Sequence, residues 1–93
     1  MKDLTNLTDR EYLEAVWGED GTKVLAEIDA TTTTPMTTKE FLEHCTTCGG
    51  NWGGMLLTGI RELYPNVWNA IPDDMGIYAW NAICSLCTLL NIK

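Results

Sequence analysis

Basic side chains are scarce in this chain. Six Lys and Arg stand against 13 Asp and Glu in 93 residues, a formal charge of −7. Holding nucleic acid by displacing counterions needs clustered Lys and Arg, so direct nucleic-acid binding is excluded. The first 20 residues hold no apolar run, so neither a signal peptide nor a membrane anchor is expected there. Four cysteines without an export signal are then expected to be reduced thiols in a cytoplasm. No paired carboxylates sit in an apolar setting that would raise a pKa, and no glycine-rich phosphate loop is present. A thioredoxin-like redox role lacks its βαβ setting. His44, the only histidine, adjoins Cys45. On a helix such neighbours diverge by about 100°, which makes a poor nucleophile–base pair, and His44 reads as a helix C-terminal or surface residue. Catalysis is not expected.

Long apolar stretches are also few. The 18 residues from Met75 to Ile92 carry no charge, but Gly76, Asn81, Ser85, Thr88 and Asn91 interrupt them and no Lys or Arg precedes them as an anchor. A buried helix fits better than a membrane span. The apolar share of 45%, with four Trp, also excludes a disordered acidic tail. The length is that of one domain, residues 1–93.

What is present points to helices. Thr8 opens T-D-R-E, a capping box to Glu11 with Leu7 and Tyr12 as a hydrophobic staple. Tyr12, Leu13, Val16 and Trp17 then form one stripe, and Gly18 is a C-terminal stop. Thr37 repeats the box to Glu40, with Met36 and Phe41 as the staple and Phe41, Leu42 and Cys45 as the buried side up to Gly49. Between them, Val24, Leu25 and Ile28 fit a short helix, with a strand over residues 22–30 as the alternative. Thr31–Thr34 before Pro35 reads as an extended connector. Asn51 can cap a helix from Trp52 to Tyr64, stopped by Pro65, with Trp52, Met55, Leu56, Ile60 and Leu63 along one side. Gly53, Gly54 and Gly59 in it point to close approach by a neighbour or a loosely formed first turn. The segment from Pro65 to Ile71 makes at most one helical turn. Asp73 or Asp74 caps a last helix reaching about Asn91 that is apolar nearly all round, from Ile77, Tyr78 and Trp80 to Leu90. The expectation is an all-α bundle of four to five helices around that apolar central C-terminal helix.

Two C-x-x-C pairs, Cys45/Cys48 and Cys84/Cys87, are 35 residues apart. Four thiolates would form a closed tetrahedral zinc site, and Gly49 after the first pair suits a zinc knuckle. The second pair lies in an apolar helix with no knuckle residues, where cysteines pack as small hydrophobes. No other cofactor is indicated.

Charge is uneven. Residues 1–44 carry ten acids and four bases, whereas residues 45–93 carry three acids and two bases. The acids Asp3, Asp9, Glu11, Glu14, Glu19, Asp20, Glu27, Asp29, Glu40 and Glu43 are either a solvated face or a surface for a basic partner. Glu11, Glu14, Glu19 and Asp20 are the residues expected to meet such a partner. Trp52 and above all Trp68, in the segment between two prolines and expected to be exposed there, are the expected aromatic anchors.

The run F-L-E-H-C-T-T-C-G-G-N-W-G-G-M-L-L-T-G-I-R-E-L-Y-P, followed by P-D-D, resembles small phage and mobile-element proteins of Gram-positive bacteria. These share a C-T-x-C-G-G-N-W core, a helix ending near Tyr/Phe-Pro and a short turn of the x-M-P-D-R kind. The similarity covers residues 41–74 and leaves out the N-terminal third and the Cys84/Cys87 pair. That family has no assigned activity. It implies a genomic setting in which small acidic proteins inhibit host defence nucleases, anti-CRISPR proteins among them. The resulting expectation is a cytoplasmic interaction module that binds a host protein with a basic surface. A structural zinc module held by all four cysteines is the alternative, and self-association through the uncharged C-terminal helix a third.

Overall fold

The computed structural model of the chain describes residues 6–44 and 52–93, and of Trp52 it describes only the backbone. Among the described residues there are six helices: α1 Asp9–Trp17, α2 Glu19–Asp29, α3 Thr38–Leu42, α4 Trp52–Leu63, α5 Pro65–Ala70 and α6 Ala79–Leu89. The fold is all-α. Pairing of extended backbone is confined, among those residues, to one parallel bridge between Met36 and Ile92.

Local chemistry sets the first helix boundaries. Thr8 Oγ1 accepts the Glu11 amide at 3.1 Å, and Glu11 Oε1 accepts the Thr8 amide at 3.0 Å. Thr37 and Glu40 repeat the same reciprocal pair at 3.1 and 3.0 Å. Each box satisfies two amides that a helix start otherwise leaves open, an effect of about 1 kcal/mol per cap. The amide and hydroxyl donors of Thr37 also hold the Glu40 carboxyl below its ordinary pKa.

α1 and α2 are joined by Gly18 alone, whose φ of +60° favours glycine. Its amide donates to the Glu14 carbonyl at 2.9 Å and closes α1. The chain then folds back as an antiparallel hairpin. Arg10, at the start of α1, grips Asp29, at the end of α2, through two bonds of 2.8 and 2.9 Å. The pair is about half-exposed, so it fixes the register more than it stabilises. Gly21 on α2 is buried against the Leu13 backbone of α1, and a Cβ there would stand 2.2 Å from the Leu13 carbonyl oxygen. Val24, Leu25 and Ile28 are buried along α2, which settles the helix-or-strand alternative in favour of helix.

Three boundaries differ from expectation. α3 ends at Leu42 with Glu43 as its C-cap, short of the Gly49 read as its stop. The segment after Pro65 is a six-residue helix, α5, rather than a single turn at most. Proline suits the first helical position, where no amide bond is lost, and Val67 anchors the helix with full burial. The last helix starts at Ala79, with neither Asp73 nor Asp74 as its cap. Asp74 Oδ1 instead accepts the Gly76 amide at 3.0 Å, and Gly76 at φ +77° turns the chain out of helical geometry. α6 is therefore shorter than the apolar run, and Ile77 and Tyr78 fall in the turn before it.

Among the described residues, the largest fully buried side chains are Phe41, Leu13, Ile60, Leu86, Leu90, Val24 and Val67. α6 packs on α1 and α4, α2 on α5, and α3 on α4. α6 buries Ala82, Ile83, Ser85, Leu86 and Cys87, while Trp80, Cys84 and Thr88 on another side of it are exposed. Its one buried hydroxyl, Ser85 Oγ, donates to Asp9 Oδ1 at 2.9 Å. Among the described residues no helix is long and apolar enough to cross a membrane.

Candidate interaction surface

Tertiary packing divides the acidic residues by role. Asp9 accepts from Ser85, and Glu11 and Glu40 close the capping boxes. Glu27 accepts from Asn66 Nδ2 at 3.2 Å, which ties α2 to α5. Asp29 is bound by Arg10, whose hydrogen bonds hold its carboxyl below the usual range. Asp3 lies outside the described residues. Glu19 and Asp20 remain exposed at the corner where α1 passes into α2, and Glu14, also exposed, lies one turn back along α1 where its charge acts on Arg10. Of the four acids expected to meet a partner, Glu11 thus has a local structural task, and Glu19 and Asp20 share one corner.

That corner adjoins the loop between α5 and α6. Trp17 Nε1 donates to the Met75 carbonyl at 3.0 Å and seats the loop against the end of α1. Asp20 and Lys23 line a hollow of about 510 Å³ with Asp73 and Asp74. An adjoining groove of about 330 Å³ is walled by Leu57, Trp68, Met75 and Asp73. Asn69, Ile71, Pro72 and Asp73 border both, so this segment is a wall that the two share. The acidic hollow carries three carboxylates against the one ammonium of Lys23, a net negative charge that favours a cationic group.

Trp68 departs from expectation in its exposure. It is half-buried, packed on the core, with the Arg61 guanidinium 6.0 Å from its ring centroid. It forms a wall of the groove and does not protrude. Nothing in the spacing of P-N-V-W-N-A betrays this, because α5 is short and its inward face is set by contact with α2 and α4.

The protruding apolar residues are others. Ile77 is 90% exposed, Trp80 48% and Tyr78 42%. The Tyr78 ring meets Tyr12 edge-on at 6.5 Å between centroids. Sequence reasoning missed this corner because it assigned all three residues to a buried helix. The clue available was the Asp74–Gly76 pair, which starts a turn as readily as a helix.

Cys84 and Cys87 line one cavity between α3, α4 and α6, together with Leu56, Trp80 and Ile92. Cys84 is exposed and Cys87 buried. Burial first, and the negative charge of Asp9 second, push the Cys84 thiol above its usual pKa. A thiol that resists ionisation is a weak nucleophile. Among the described residues no three His, Cys, Asp or Glu side chains converge on a metal position. Cys45 and Cys48 lie outside the described residues. His44 is exposed just beyond α3, its amide donating to the Phe41 carbonyl at 3.0 Å.

Comparisons with protein-family models, curated proteins and solved structures found no match to this chain.

Proposed function

We propose that the chain is a non-enzymatic interaction module that docks on a basic surface of a partner protein, and that it makes no contact of its own with nucleic acid or membrane. One observation carries the reading: Asp20, Asp73 and Asp74 outnumber Lys23 around one hollow, and Asp73 also borders the neighbouring groove walled by Trp68, Leu57, Ile71 and Met75. Such an arrangement suits a Lys or Arg side chain, whose aliphatic stem lies on the apolar wall while its charged end meets carboxylates. The exposed carboxylates of Glu14 and Glu19 add to the overall negative field that draws a cationic surface in.

The partner class follows from charge and from the resemblance of residues 41–74 to phage and mobile-element proteins. Basic clefts on cytoplasmic proteins commonly hold nucleic-acid backbone, and an acidic module seated there competes with it. The proposed role is a phage-encoded inhibitor of a host defence nuclease of the CRISPR type, acting in the host cytoplasm.

The test is DNA cleavage by purified CRISPR-type effectors, measured with and without the chain over a range of salt. Inhibition is expected, weakening as salt rises. The triple reversal Glu14→Lys, Glu19→Lys, Asp20→Lys is expected to slow association by roughly tenfold or more and to flatten the salt dependence. These side chains are exposed, so folding is retained. A chain that inhibits none of the effectors overturns the nuclease role. Equal inhibition by the reversed variant overturns the electrostatic docking.

A further inference from the structure

The acid-rimmed groove leaves the exposed side of α6 without a role. This second surface differs from the first in charge and in shape. No Asp, Glu, Lys, Arg or His lies between Met75 and Ile92. In shape it pairs a projection with a hollow. Ile77 projects with 90% of its surface exposed, and Trp80 and Tyr78 stand beside it. Beyond this turn, Trp80, Cys84, Cys87 and Thr88 of α6 line a cavity of about 190 Å³ together with Leu56 of α4 and Ile92. An isoleucine side chain is smaller than that volume.

We infer that this face binds a second copy of the same chain, with α6 antiparallel to its counterpart across a two-fold axis and Ile77 of each copy seated in the other's cavity. A projection and a hollow on one surface meet the condition for an isologous interface, in which each copy presents both halves of the contact. Charge favours this occupant over a basic one. A chain of charge −7 repels its own kind, and the repulsion is least where an uncharged surface meets its equal. A basic partner would find no carboxylate from α6 itself. Asp9, the acid that reaches α6 from α1, is held by Ser85 at 2.9 Å. The corner is also held in shape before contact. The Ala82 amide bonds to the Tyr78 carbonyl at 3.0 Å, the Ala79 amide to the Gly76 carbonyl at 3.3 Å, and Tyr78 rests against Tyr12. Little ordering is left to oppose association.

The inference is independent of the proposed function, since it uses another face. Sedimentation velocity of the full chain in reducing buffer, from roughly micromolar to millimolar concentration, tests it. The wild-type chain is expected to pass from 10.4 kDa to twice that mass. Ile77→Asp, at a site that touches little of its own chain, is expected to stay monomeric over the whole range with an unchanged circular dichroism spectrum. Cys84→Trp, which closes the cavity mouth, is expected to weaken the dimer at least tenfold. Glu14→Lys with Glu19→Lys is expected to leave the dimer intact. A wild-type chain that stays monomeric throughout overturns the inference and assigns the corner to a different protein. A dimer indifferent to both Ile77→Asp and Cys84→Trp overturns it as well.

Discussion

Replacing Gly21 with alanine is expected to lower the unfolding free energy by about 3 kcal/mol or more. The usual effect has the opposite sign, since alanine within a helix is favoured over glycine by about 1 kcal/mol. Here the added carbon would lie 2.2 Å from the Leu13 carbonyl oxygen and 2.7 Å from its carbonyl carbon. Both are backbone atoms of α1, so no side-chain rotation relieves the contact. The helices must separate, and Leu13, Val24 and Leu25, packed between them, lose contact together. Urea unfolding followed by circular dichroism measures the change. Thr22→Ala, at the next and exposed position, serves as the comparison and is expected to change stability by less than about 0.5 kcal/mol. A Gly21→Ala protein as stable as the wild type would mean that α1 and α2 do not approach this closely.

Phe41→Ala is expected to cost about 3–5 kcal/mol, the range for emptying a fully buried aromatic site. Phe41 has no exposed surface although it belongs to a helix of only five residues. A helix that short does not hold itself together, so α3 exists because Phe41 docks in the core. Removing the ring therefore opens a cavity and releases the helix that carries it. A domain of this size has a total stability of about 5–14 kcal/mol, so the loss is a large share of it. The same urea experiment reads the effect, and a loss under about 1 kcal/mol would show that α3 is held by its capping box alone. Trp80→Ala, which removes a larger but half-exposed ring, is expected to cost much less in the monomer.

Gly21 and Phe41 also mark how much was legible in the sequence. Thr8, Glu11, Thr37 and Glu40 declare helix starts by chemistry confined to four residues, and both boxes form as read. The core positions of α1 and α2 follow from periodicity, because each helix has one wet side and one dry side, and so do Leu56, Ile60 and Leu63 of α4, where Leu57 rather than Met55 completes the packed side. Periodicity fails for α6. Its run is apolar on every side, so nothing in it distinguishes Leu86, fully buried, from Trp80, half-exposed. The start of α6 depends on Gly76 at positive φ, and the length of α5 depends on Val67 reaching the core. Both are decided by tertiary contact. The candidate groove was half legible. Asp20 and Trp68 can be named from the sequence, whereas Asp73 and Asp74 read there as helix caps, and the bond from Trp17 to Met75, which brings Asp20 beside the loop, spans 58 positions. No local pattern encodes such a meeting.

The Met36–Ile92 bridge has a consequence for the order of events in folding. α1 with α2, and α4 with α5, meet as sequence neighbours and need only small loops to close. The bridge joins the connector before α3 to the segment beyond α6, and so waits on a long loop closure. Two amides register its completion: that of Met36, bonded to the Asn91 carbonyl, and that of Lys93, bonded to the Met36 carbonyl, each at 3.0 Å. In hydrogen exchange the two are expected to lose protection together and earlier than the amides of the α1–α2 hairpin. They act as a clasp that closes last and opens first, and unequal exchange at the two would show that they do not move as one.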